Sequence, residues 1–265
     1  MLGLDPDRLR MEADQLALSV GRPEDLVASL ANLLAFYADR TRRSSASVRA
    51  ADALPSYRAP RPVLQAIVRA LNLRLADEPD DIRQRLITCL WQAEHLEPRL
   101  VAIDLLAGLP WQLAVSGSEQ MAEATNDRIL HTTLAKRGLA GWVRQPLTKS
   151  LEPTQRWLAS SNLAFQRLAL CLLQQQASQV AHTELAALFD VLAGRAAQLP
   201  GESGRAVRQL LHVLSQRNQA ETARFLLDEL RRNNRRAPYR RLVRDLMPAF
   251  GPPFDQELAI ALSLK

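Results

Sequence analysis

The chain has 265 residues, enough for one large domain or one elongated repeat domain. Its 34 basic and 28 acidic side chains give a net charge of +6, and 47% of residues are apolar but only 5% aromatic, so the core is built from Leu, Ala, Val and Ile. No basic start leads into an apolar run and no stretch reaches about 18 consecutive apolar residues, which excludes a signal peptide and a transmembrane helix and makes the cytoplasm the expected compartment.

Apolar residues recur at three- and four-residue spacing almost throughout, with Pro, Gly or Asn between segments. The first helix spans about Pro6 to Ser19, with Asp5 as N-cap, Leu9, Leu16 and Val20 on one face, and Gly21 at its end. Pro23 opens the second, followed by Glu24 and Asp25 in the first turn, where acids suit the helix dipole. Leu26, Leu30, Leu33, Leu34 and Tyr37 continue its stripe. Residues 39–61 form a long basic loop with Arg40, Arg42, Arg43, Arg49, Arg58 and Arg61; loops of that length are functional or disordered. Pro62 starts a helix through Leu75. Asp77 or Pro79 opens the next, with Ile82, Leu86, Cys89 and Leu90 buried. Pro98 lies in the first turn of a helix through Leu106, which Gly108 and Pro110 break.

The segment from Trp111 to Glu119 is ambiguous, with Gly117 at a turn. A helix from Glu119 to Lys136 follows, stopped by Gly138 and Gly141. Short helices fit Trp142 to Leu147 and Pro153 to Ala159. Asn162 caps a helix carrying Leu163, Leu168, Leu170 and Leu172. Val180 to Ala197 reads as a long apolar helix, Gly201 and Gly204 bound the next start, and Asn218 caps Glu221 to Leu230. A basic cluster at 231–244 leads into a helix from Pro238 to Met247, and a last helix ends at Leu264. Helix pairs recur every 35 to 45 residues or so, which predicts an all-α, HEAT-like or armadillo-like α-solenoid forming a single domain over 1–265.

Chemistry is sparse. Cys89 and Cys171 sit in apolar helical runs and read as buried free thiols. His95, His131, His182 and His212 are scattered without ligand spacing, so no metal is expected. Phosphate-binding loop, dinucleotide fingerprint and nucleophile elbow are all missing, and no cofactor is expected. The basic excess is almost all arginine; Lys occurs only at Lys136, Lys149 and Lys265. Guanidinium groups suit bidentate phosphate contacts, and the run Arg231, Arg232, Arg235, Arg236, Arg240, Arg241 and Arg244 reads either as a solvated helix face or as a phosphate-contacting patch.

Residues 156–172 place a Trp-bearing helix before Ser-x-Asn and a helix with Arg167 in its first turns. Residues 90–106 place Leu90-Trp91 before Glu97-x-Arg99 and Ala102-Ile103-Asp104-Leu105-Leu106. With the looser fit of residues 57–67, this order resembles the bacterial alkylpurine DNA glycosylase family of the AlkC/AlkD type over roughly residues 55–215. The resemblance implies a HEAT-like array binding duplex DNA on a basic concave face. It also implies an Asp that assists departure of the alkylated base, with tryptophans around the lesion. Aligned through Gly138, Leu130 stands at the expected Asp, and Asp127 lies one helical turn away. No Trp falls between Glu119 and Gly141, the Leu-Trp pair after the Ser-x-Asn turn is Leu163-Ala164, and the later Trp position falls near Val213. The expected site is therefore degenerate, with Asp127 and Asp104 as candidate substitutes; Asp104 can instead pair with Arg99. Expected DNA contacts are Arg42, Arg43, Arg58, Arg99, Arg128 and Arg167, with Arg235, Arg236 and Arg240 from the basic cluster. Three functions remain open: a DNA-binding relative of these glycosylases with weak or no base excision, an active glycosylase with a rearranged site, and a protein-binding HEAT scaffold. A protein partner is compatible with each.

Overall fold

The computed structural model describes residues 5–38, 54–199, 201–234 and 236–263, apart from the side chain of Val143. Among them lie fourteen α-helices, a few short 3-10 and π turns, and no β-strand. The architecture is an all-α solenoid of stacked antiparallel helix pairs. Its helices gather into two compact units, Met1–Gly141 and Trp142–Lys265.

The first unit holds α1 (Pro6–Ala17), α2 (Pro23–Phe36), α3 (Arg61–Leu75), α4 (Asp80–Gln92), α5 (Leu96–Leu106), α6 (Trp111–Glu123), α7 (Arg128–Thr133) and a π turn, Leu134–Gly138. Asp5 caps α1 by accepting from the Asp7 and Arg8 amides at 3.0 and 3.2 Å. Helices α1, α3 and α5 pack in succession, α2 packs on α4, and α4 closes on α5, so alternate helices form two layers. Leu26, Leu30, Leu34, Ile67, Leu71, Leu86 and Leu90 fill the space between them. Full burial of each such side chain contributes about 1.5–3 kcal/mol. The second unit repeats the scheme with α8 (Leu147–Ala159), α9 (Leu163–Gln179), α10 (Leu185–Leu192), α11 (Gly201–Arg217), α12 (Gln219–Arg232), α13 (Ala237–Leu246) and α14 (Phe254–Ser263). Here α8 packs on α10, α9 on α11, α11 on α13, and α12 on α14.

Several expected boundaries move, each for a local reason. Residues 111–123 form one helix through Gly117; a β-carbon there would come within 2.8 Å of Leu106 Cδ1, so glycine serves a close approach to α5 rather than a turn. The expected helix from Glu119 to Lys136 is interrupted because the Asp127 carboxylate accepts from the Ile129 amide at 2.7 Å and starts α7 afresh. Helix α8 begins at Leu147 and carries Pro153 inside it; burial of Leu151, Trp157 and Leu158 outweighs the lost backbone bond. The apolar run after Val180 shortens to a 3-10 turn, His182–Glu184, and α10. Gly194, at φ +71, turns the chain there, and both oxygens of buried Glu229 hold its amide at 3.0 and 2.9 Å. Cys89 and Cys171 form no disulfide and are half-buried rather than buried. The buried stripe of α4 runs through Arg83, Leu86, Ile87, Leu90 and Trp91, which leaves Cys89 and Ile82 at its margin.

Arg83 is the unexpected member of that stripe. Its guanidinium donates to Asn72 Oδ1 at 2.8 Å and reaches the carbonyls of Leu75 and Leu105 at 3.4 Å, near the C-terminal ends of α3 and α5. Desolvation pulls its pKa down, against the opposing charge of Asp80. A cation at helix C-termini satisfies carbonyls that have no partner within the helix.

In the second unit Trp157 is the largest fully enclosed side chain, at 1% exposure. Trp157→Ala should lower unfolding free energy by about 3–5 kcal/mol in urea denaturation followed by circular dichroism.

Candidate nucleic-acid interface

The described end of the basic loop, residues 54–60, has no regular secondary structure and is fastened to the start of α5. The carboxylate of Glu97, 3% exposed, accepts from the Ser56 hydroxyl at 2.6 Å and from the Tyr57 and Arg58 amides at 3.0 and 2.7 Å. The Leu96 amide returns a bond to the Pro55 carbonyl at 2.8 Å. Two consecutive amides on one carboxylate require a sharp local turn, and Arg58 takes φ +57 to make it. The Tyr57 ring then stacks on His95, with centroids 4.2 Å apart and planes 18° from parallel. Burial pushes the Tyr57 phenol pKa up, and the charges of Glu97 and Glu94 add to that. Glu97 was legible only as half of a Glu-x-Arg pair; its position in the first turn of an otherwise apolar helix was the available signal.

Two residues on, Arg99 is half-buried. Its Nε donates to the Ala93 carbonyl at 2.9 Å and its guanidinium lies 5.4 Å from the centre of the Trp91 ring. Burial lowers its pKa, while the charge of Asp127 acts the other way. Asp127 is half-exposed and uses one oxygen, Oδ1, as the N-cap of α7, accepting from the amides of Ile129 and Leu130 at 2.7 and 3.4 Å. Arg128 follows it, exposed, at the first position of α7. The structure thus brings Arg99, Asp127 and Arg128 into one neighbourhood of the first unit, and the Tyr57–His95 stack lies just ahead of Arg99 in the same helix entry.

Asp104 has a different partner from the expected one. Its carboxylate is held bidentately by Arg137 of the π turn, with Nε to Oδ1 at 2.6 Å and Nη2 on Oδ2, whereas Arg99 faces the Ala93 carbonyl. The π turn itself exists because Gly138 lets it press on α5: a β-carbon there would meet Leu106 and Ile103 at 3.2 and 3.4 Å. Burial drives the Asp104 pKa up even though Arg137 pulls it down. Leu130, at the position where the resemblance calls for an acid, is fully buried.

In the second unit Asn162 caps α9 as expected, accepting from the Ala164 amide at 2.9 Å. Gln166 ties the preceding turn to α11, donating to the Ser160 carbonyl at 2.9 Å and accepting from the Ser203 hydroxyl at 3.1 Å. Arg167 is half-buried and ion-paired with Glu202 at 3.1 Å. Arg240 donates to the Leu262 carbonyl at 2.7 Å, so it also holds the end of α14, and Arg236 is exposed at the entry to α13. Arg42, Arg43 and Arg235 lie outside the described residues. Among the described residues no three His, Cys, Asp or Glu side chains converge as a metal site, and no helix is long and apolar enough to cross a membrane.

A family model described as DNA alkylation repair enzyme matches residues 32–241. The chain belongs to that family. The match takes in α3 to α12 whole, and with them Glu97, Arg99, Asp104, Asp127 and Arg167. Neither the comparison with curated proteins nor that with solved structures yields a match. This member of the DNA alkylation repair family therefore keeps the helical scaffold while its two candidate carboxylates are both engaged within the protein.

Glu97→Ala should cost about 2–4 kcal/mol of stability, because two amides and a hydroxyl lose a charged acceptor, and should open residues 54–60 to limited proteolysis. Asp104 binds its proton more tightly when folded than when unfolded. Its contribution to stability therefore falls as pH rises through the window from the ordinary carboxylate value to the raised one, and is level above it. Asp104→Asn should flatten that slope in urea titrations carried upward from the ordinary carboxylate range, leaving the part due to Glu229, whose pKa burial likewise raises.

Proposed function

We propose that this protein binds duplex DNA through arginines of its helical scaffold and releases alkylated bases weakly or not at all. Membership of the DNA alkylation repair family and the net charge of +6 support the binding. The observation that carries the second half is the state of the carboxylates. Cleavage of an N-glycosidic bond builds positive charge on the sugar, and a carboxylate must be aimed at that charge to stabilise it. Asp127 is held at the start of α7 by two amides on its Oδ1, Asp104 is held by Arg137 on both oxygens, and the aligned position is the enclosed Leu130. The phosphate contacts are assigned to Arg58, Arg99, Arg128 and Arg167, together with Arg236 and Arg240; Arg42, Arg43 and Arg235 complete the set. For Arg167, contact means exchanging Glu202 for a phosphate, a substitution of one anion for another at a half-buried guanidinium.

Fluorescence anisotropy with a labelled duplex tests the binding. Affinity should fall linearly on a log–log salt plot, by about a thousandfold between about 50 mM and about 200 mM salt if six or more phosphates are engaged. Arg128→Ala and Arg167→Ala should each reduce the slope by about one. A flat salt response, or no binding at low salt, defeats the proposal. Incubation with a duplex carrying an N-alkylated purine should show no base release above the spontaneous rate; release that disappears in Asp127→Asn would restore the active-enzyme reading.

A further inference from the structure

The second unit contains a recess of about 520 Å³ between the first turns of α11 and α13, lined by none of the residues assigned above although Arg236 and Arg240 adjoin its wall in the chain. Its walls are Ala197, Leu199, Pro238 and Leu242, and two arginines, Arg208 and Arg241, reach it from the two helices. Gly204, buried in the first turns of α11, allows a close approach to the chain before it. A β-carbon there would come within 2.4 Å of the Leu199 carbonyl and 3.9 Å of Arg208 Nη1, so the missing side chain lets residue 199 and the Arg208 guanidinium approach the same point of α11. Arg208 is only loosely compensated, with its Nε 3.8 Å from Asp245, a separation longer than a hydrogen bond. Arg241 is exposed and makes no ion pair or side-chain hydrogen bond among the described residues. Helix α13 starts at the rim with no side-chain cap.

We infer that this recess is a binding site for a phosphate monoester carried on a small, largely apolar or ring-bearing body. Two guanidinium groups from separate helices, opposed by one carboxylate, leave a net positive charge whose planar donors match a phosphate dianion. The Ala, Leu and Pro walls offer no hydrogen-bonding side chain and accept a ring face or a sugar edge. The volume is that of a small-molecule site rather than of a bare anion. The phosphate can come from a free nucleotide or from the 5′ end of a DNA strand; the chemistry of recognition is the same. The site does not depend on binding along a duplex, since none of the residues assigned to that role lines it.

Isothermal titration of the full chain with dAMP, with deoxyadenosine and with inorganic phosphate reads the free-ligand case. Anisotropy with blunt duplexes bearing or lacking a 5′-phosphate reads the strand-end case. dAMP should bind and deoxyadenosine should not, or the 5′-phosphorylated duplex should bind more tightly than its unphosphorylated twin. In either case Arg241→Ala should weaken the phosphate-dependent part at least tenfold, and Ala197→Glu, which places a carboxylate in the recess, should abolish it. Arg241 supports no contact within the fold, so its loss leaves folding intact, and circular dichroism confirms this for both variants. Phosphate-dependent binding that is missing, or that survives Arg241→Ala and Ala197→Glu, overturns the inference. Salt-sensitive binding to the unphosphorylated duplex, unchanged in Arg241→Ala, leaves the duplex reading standing when the recess fails; absence of that binding with dAMP still captured does the reverse.

Discussion

Helix α5 is at least half-buried at every residue, and the first unit is arranged around that fact. Val101, Ala102, Ile103 and Leu105 are wholly enclosed, and every other residue of the helix is at least half-buried. A helix in that position can carry a polar side chain only where a partner meets it. Three such side chains are present, and each is met: Glu97 by the 54–60 segment, Arg99 by a carbonyl and an indole face, and Asp104 by Arg137. The entry of the basic loop, the placing of the π turn and the neighbourhood of Asp127 all follow from these pairings.

That constraint explains why residues that look like chemistry in the sequence act as fasteners in the structure. A carboxylate in a water-poor setting is a strong acceptor, and the nearest donors claim it. Glu97 gathers backbone amides and so fixes where the basic loop leaves the scaffold. Asp104 gathers a guanidinium and so fixes the π turn. The same logic holds in the second unit, where buried Glu229 sets the turn at Gly194.

Much of the fold was legible in the sequence, because amphipathic spacing and caps are local signals. Asp5, Asn162 and Asn218 cap the helices they were expected to cap, and Pro23 opens α2. What the sequence concealed was set by distant contacts. Gly117 reads as a turn, yet it is a helical residue whose missing side chain makes room for Leu106. Pro153 reads as a start, yet the buried face of α8 carries the helix through it. The sequence offered Arg99 as a neighbouring partner for Asp104, but five residues on a helix put the two on different faces, and the donor arrives from residue 137. At the site, the types of residue were visible and their engagements were not, because those depend on which segments α5 draws together.

Arg83 and Gly108 illustrate what such packing implies for variation in this chain. A β-carbon on Gly108 would lie 2.2 Å from Arg83 Nη1, with Asn72 Oδ1 at 3.4 Å. Alanine at 108 displaces the guanidinium, and the carbonyls of Leu75 and Leu105 then lose their donor. Loss of the arginine, in turn, removes any reason for the glycine. The two positions are sterically coupled although 25 residues separate them, and a side chain at 108 calls for a rearranged or different residue at 83.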